Sequence, residues 1–171
     1  MEIIADLIAR FPREGRVAFI GVRPERRAPV ARLESVFIGK GGLVGDHRDK
    51  PGARAVTLIQ AEHLAAIAAL AGLESVDPAD LRRNIAVSGI SLAALRGRRF
   101  RIGSAVLKGV EVCAPCSRME EVLGRGGYNA MRGHGGITAM VIEEGKVRLG
   151  DGVSALASGD AQETFDHVDP A

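Results

Sequence analysis

The residues best suited to chemistry fall in two short clusters. Arg82-Arg83-Asn84 opens an apolar, strand-like run, and about thirty residues later Val112-Cys113-Ala114-Pro115-Cys116 holds both cysteines of the chain. Thiolates are soft metal ligands and nucleophiles, while Arg and Asn side chains donate to phosphates and heterocycle edges. Together the clusters suggest a site for a soft metal carried by an anionic organic group. Core packing would explain one buried cysteine, but it leaves the polar cluster without a reason.

The Cys113-x-x-Cys116 spacing admits four readings. A redox disulfide would have the order strand, Cys-x-Pro-Cys, helix. That arrangement also needs a later proline facing the pair, and none occurs between Pro115 and Pro170. A zinc knuckle needs a second couple of ligands, which His134 alone does not supply. Two packing thiols are consistent with how often free cysteine is buried. One functional thiolate with a structural partner fits best, because Cys116 lies just ahead of a Ser117-capped helix whose amides and dipole favour negative charge. On these residues alone, function and packing both stay open.

Other polar groups stand at turns. Asp46 and His47, in Gly45-Asp46-His47-Arg48, suit acid–base or cofactor contacts, and equally suit a tight turn. Arg132-Gly133-His134-Gly135-Gly136 could offer backbone amides to an anion, or simply form a hairpin. Arg83 reads as a solvated turn residue and His63 as a surface or packing histidine. Arg96, Arg98, Arg99 and Arg101 form a charged sheet face, without the aromatic platform of a single-strand binder.

The elements that must position these groups are mostly strands. Runs rich in Val, Ile and Phe at 16–22, 30–38, 55–60, 84–88, 99–102, 105–112 and 137–142 predict β structure, punctuated by glycine turns. An alanine-rich helix is expected over 61–70, stopping at Gly72, with an Asp77-capped turn and a short Ser117-capped helix after it. Strands outnumber helices and do not alternate with them. The fold class expected is mainly β with helical insertions (α+β), a barrel of mixed or antiparallel strands.

Length and charge bound the rest. A chain of 171 residues builds one real core, expected over 1–157, followed by a loose acidic tail at 158–171 with Asp160, Glu163, Asp166 and Asp169. A net charge of +2 gives no bulk electrostatic case for nucleic acid or a membrane surface. Acids at Glu2 and Asp6 oppose a secretory leader, and no apolar run is long enough to span a bilayer. A cytoplasmic protein, possible as a homo-oligomer, is expected.

Gly42 to His47, Leu81 to Gly89, Ile102 to Leu107, Val112 to Cys116, Met131 to Gly136 and Gly150-Asp151-Gly152 resemble, in order and spacing, the MOSC domain, named for the C-terminal part of molybdenum cofactor sulfurase. The resemblance covers about residues 16–156, and its specific part is the Arg-x-Asn strand followed by the cysteine. It implies a β-rich barrel that handles sulfur or holds the molybdenum cofactor. In the amidoxime-reducing members the second cysteine ligates molybdenum, which matches Cys116, with Cys113 as its non-ligating neighbour. The strand motif touches the pterin cofactor, matching Arg82 and Asn84; Asp46, His47 and Arg132 are further pocket candidates. The leading expectation is therefore reduction of N-hydroxylated bases or related N-oxygenated small molecules. A sulfur carrier with a Cys116 persulfide and a cofactor storage or delivery module are the alternatives. The reductases' second barrel, the sulfurases' desulfurase domain and an iron–sulfur domain are not found in the sequence. Electrons or sulfur are thus expected from a separate donor protein.

Overall fold

Strand pairing explains why the two clusters can meet. In the computed structural model, which describes residues 1–157, the strands are β1 (Gly15–Val22), β2 (Ala31–Arg32), β3 (Ser35–Gly39), β4 (Gly42–Leu43), β5 (Val56–Gln60), β6 (Ile85–Ser88), β7 (Arg99–Ile102), β8 (Ala105–Val112), β9 (Ile137–Glu143), β10 (Gly145–Arg148) and β11 (Gly152–Ala155). Four short α-helices accompany them: α1 (Ile4–Ile8) ahead of β1, and α2 (His63–Ala71), α3 (Arg118–Leu123) and α4 (Gly127–Met131) between strands. Seven strands pair in the order β11-β7-β8-β9-β5-β6-β1, and β1 returns to β11 through Gly15↔Val153, closing a barrel. Closure removes the open edges that would otherwise template aggregation. Among the described strands only β5 and β6 pair in parallel, with α2 as the crossover between them. A small sheet of β10, β3 and β4 packs beside the barrel. The expected fold class is what the chain adopts. The expected tail lies outside the described residues.

Two apolar clusters fix this arrangement. Val17, Ile20, Leu58, Ile85, Val87, Phe100 and Leu107 fill the barrel interior, while Phe19, Ile59, Ala86, Leu81 and Met119 pack with Ile67 of α2 and Met131 of α4 on the outside. β5 and β6 are buried on both faces, which is why they read as continuous apolar runs rather than alternating ones. A register shift between Val17 and Phe19 turns the phenylalanine outward to the helices.

Some local expectations are corrected. The run at 30–38 is two strands, because the chain changes partners within it: Arg32 pairs with Gly21, whereas Val36 pairs with Val147. β4, β10 and β11 are too short and glycine-rich to show a period. Ser117 occupies the N-cap position of α3 but its side chain makes no capping bond. Glu120 secures that region instead, accepting from Gly126 N at 2.6 Å and Tyr128 N at 3.0 Å. Those amides hold its carboxyl below the usual range. Among the described residues no helix is long and apolar enough to cross a membrane.

Candidate functional site

One mouth of the barrel collects the polar segments. β1 hands over to Arg23 and β4 turns into Gly45-Asp46. β6 is entered through Arg82-Arg83-Asn84, and β8 leaves through Cys113 to Cys116 into α3. Antiparallel pairing makes this necessary: Ile20↔Ile85 sets the end of β1 beside the start of β6, and Val112↔Ile137 sets the end of β8 beside the start of β9. These segments, with Arg48, Arg54 and Thr57, line an open cavity of about 230 Å³. A larger cleft of about 510 Å³ near Phe11 and Ile90 holds no cysteine or histidine, so size does not mark the chemistry.

The two cysteines have different surroundings. Cys113 is 2% exposed; its N–H donates to Gly136 O at 2.8 Å. Cys116 is exposed, and both are free thiols. No disulfide joins them. Gly135 and Gly136 permit the close approach of this loop, since a Cβ at Gly135 would collide with Cys113 O and one at Gly136, where φ is +84°, with Leu58 O.

Arg83 corrects the sequence reading outright. It is 6% exposed, not solvated. Its Nε donates to Gly135 O at 2.8 Å, Nη1 to Leu81 O at 3.0 Å, and Nη2 to Cys113 O and Ala114 O at 3.4 Å each. All of these acceptors are backbone carbonyls, so one planar guanidinium pins the cysteine loop to the glycine loop. An apolar context in the sequence does not reveal such a role, because the acceptors are distant main-chain atoms.

Asn84 is likewise held internally. Its Oδ1 accepts from Thr57 N at 3.1 Å and Thr57 Oγ1 at 3.0 Å, and its Nδ2 leans on Gly21 O at 3.4 Å. It forms cavity wall while tying β1, β5 and β6 together. Arg82 differs: its backbone is left-handed at φ +60°, a conformation costing an L-residue about 1–2 kcal/mol. Strain of this kind gathers where a side chain must be aimed.

Electrostatics reinforce that contrast. Burial, followed by the neighbouring Arg23 and Arg118 charges, lowers the Arg82 pKa. Arg23 is lowered by burial too, with Arg83 and Arg118 adding repulsion against the opposing pull of Asp46. A negative charge placed at Cys116 would favour the charged form of both Arg23 and Arg82. Arg118 Nε is buried and has no hydrogen-bond partner. A buried donor left unmade costs about 1–3 kcal/mol, and the residue that carries it lines the cavity. The cavity is thus a cluster of guanidiniums around one thiol, short of negative charge.

The remaining candidates divide. Asp46 lines the cavity, with a side chain only 5% exposed and Oδ1 accepting from Arg23 N at 2.7 Å. His47 sits behind it, Nδ1 3.8 Å from Asp46 Oδ1, and is not part of the lining; neither is the exposed Arg132. Sequence reasoning missed Arg23, Arg48, Arg54 and Arg118. Arg118 carried a usable signal, two positions after Cys116 on the first turn of a helix.

The model of the MOSC domain matches residues 39–154, more than half of the chain. The chain belongs to the MOSC domain family. No curated protein matches the sequence. Among solved structures the chain is similar to the YuaD protein of Bacillus subtilis, at 21% identity and TM-score 0.76 over 85% of this chain and 98% of that one. YiiM of Escherichia coli is 20% identical with TM-score 0.68, covering 85% of this MOSC chain and 71% of its own. YiiM of Geobacillus stearothermophilus is 17% identical with TM-score 0.68, over 86% and 77% respectively. At these identities the likeness establishes the barrel fold.

Proposed function

We propose that this cavity binds the molybdenum cofactor and that the protein reduces N-hydroxylated bases or related N-oxygenated small molecules in the cytoplasm. The observation that carries the reading is an exposed Cys116 facing crowded arginines, one of which keeps a buried, unpartnered Nε. Thiolate sulfur suits a soft metal, and guanidinium forks suit phosphate. The donor set therefore fits a metal held on an anionic organic group. When bound, that group supplies two-electron redox chemistry.

The chain's own part is to bind and to orient. Cys116 is the metal ligand in this reading, while Arg82, Arg23 and Arg118 hold the anionic end. Arg83 and Asn84 keep the cysteine loop and the Thr57 wall in place through the contacts described above. Asp46 is the only acid lining the cavity among the described residues, so it is assigned one of the two protons that, with two electrons, convert the N–OH group to N–H and release water, the other coming from solvent. Its bond from Arg23 N fixes its carboxylate in the cavity wall. Electrons come from a separate donor protein.

The exposure of Cys116 also favours a second reading, a sulfur carrier that presents a persulfide to a partner. Metal analysis of protein made with an intact cofactor pathway separates the two. The proposal expects stoichiometric molybdenum, lost in Cys116→Ser and largely retained in Cys113→Ser. Sulfane sulfur on Cys116 without molybdenum would replace it by the carrier reading. Molybdenum without turnover of N-hydroxylated bases would reduce it to cofactor storage or delivery. Equal loss in both variants would refute a single working thiol.

A further inference from the structure

Outside the cavity, two histidines meet where the helices cover the barrel. His63 is the first residue of α2, and His134 lies in the loop between α4 and β9. Their Nδ1 atoms are 3.3 Å apart, with ring centroids at 4.8 Å and planes at 88°. Both side chains are half-buried and sit on fixed supports. α2 is closed by Gly72, whose N–H bonds Ala68 O and Ala69 O. The His134 N–H bonds Met131 O at 2.9 Å, and the adjoining Gly135 carbonyl is gripped by Arg83.

The separation of the two nitrogens is itself informative. A tetrahedral ion with metal–nitrogen bonds of about 2.0–2.1 Å sets two ligand nitrogens about 3.3–3.4 Å apart. The same contact also suits a shared N–H···N hydrogen bond, whose donor depends on the tautomer. An ion held between the two rings would take both Nδ1 atoms as ligands, with the proton of each ring on Nε2.

We propose that His63 and His134 form a two-histidine clip for a divalent transition ion of borderline softness, such as zinc or nickel, with solvent completing the coordination. The ion would bridge α2 to the glycine loop. That loop carries Gly135, held by Arg83, and Gly136, which accepts the Cys113 N–H, so metal occupancy braces the far side of the cysteine loop. The clip is independent of the molybdenum reading, because neither histidine lines the cavity.

Calorimetric titration of the full chain with nickel or zinc tests it, in a Cys116→Ser background that removes the competing exposed thiol. The expected result is one saturable equivalent, weakened at least tenfold by His63→Ala and by His134→Ala and unchanged by His47→Ala. His63→Asn, which keeps a polar group of similar reach but is a poor ligand, serves if the alanine variant loses its circular dichroism signature. Nitrogen NMR should show the Nδ1 resonances, not Nε2, shifting on addition of zinc. Absence of saturable binding, unchanged affinity in either histidine variant, or perturbation at Nε2 would each overturn the clip and leave a proton-sharing pair only.

Discussion

Replacing Arg83 by alanine should damage the fold more than any other single change at the barrel mouth. The guanidinium is 6% exposed, and two of its bonds, to Gly135 O at 2.8 Å and Leu81 O at 3.0 Å, are well formed. Hydrogen bonds from a charged donor contribute about 1.5–3 kcal/mol each, which puts the cost at about 3–6 kcal/mol before any cavity term. Domains are stable by only about 5–15 kcal/mol, so the variant sits near the edge of folding. For a domain of this size the melting temperature should fall by roughly 6–24 °C, at about 2–4 °C per kcal/mol. Arg83→Lys should recover little, because one ammonium cannot reach carbonyls on three separate loops. Thermal unfolding followed by circular dichroism, alongside the rate of Cys116 labelling by a thiol reagent, reads both consequences. A melting temperature within about 2 °C of the parent, on the same scale, would refute the clamp.

Arg82→Gly should leave the melting temperature unchanged or raise it by up to about 4 °C, because glycine relieves the left-handed strain at φ +60°. A clear fall would mean that the Arg82 side chain supports the fold. Stability should also depend on pH near neutrality. The folded chain holds the His63 pKa below 6.5, so the unfolded chain binds more protons in that window. Stability contributed by this ring is then complete above about 6.5 and is lost as pH falls toward the folded value. His63→Gln, melted in chelator from about pH 8 to pH 5, should flatten that slope; an unchanged slope would place its origin elsewhere.

The sequence made the barrel legible where strands were long and apolar. β7 and β8 were readable to the residue, and β1, β5, β6 and β9 to within a residue at one or both ends. β4 and β11 were not, because two to four residues opened by glycine carry no period. Which two clusters would meet was legible from motif order, but the division of labour inside the first was not. Arg82 and Arg83 look alike in sequence, yet one is aimed into the cavity by a left-handed backbone and the other is buried against carbonyls. Asn84 bonds Thr57 and Gly21 while lining the cavity, and Arg132 lies away from the lining. The cavity's positive charge was invisible for a similar reason, since Arg23 follows β1, Arg48 and Arg54 lie between β4 and β5, and Arg118 opens α3, so distant parts of the chain supply it.

The central claim is that the arginine-lined cavity with Cys116 holds an anionic, metal-bearing cofactor. Titration of apo protein with released molybdenum cofactor tests it most directly. Arg82→Ala removes a charge-assisted contact of about 1.5–3 kcal/mol and should weaken binding about ten- to a hundredfold. Arg132→Ala, away from the lining, should bind as the parent does. Parental affinity in Arg82→Ala would contradict the account and leave the Arg82 turn a structural feature alone.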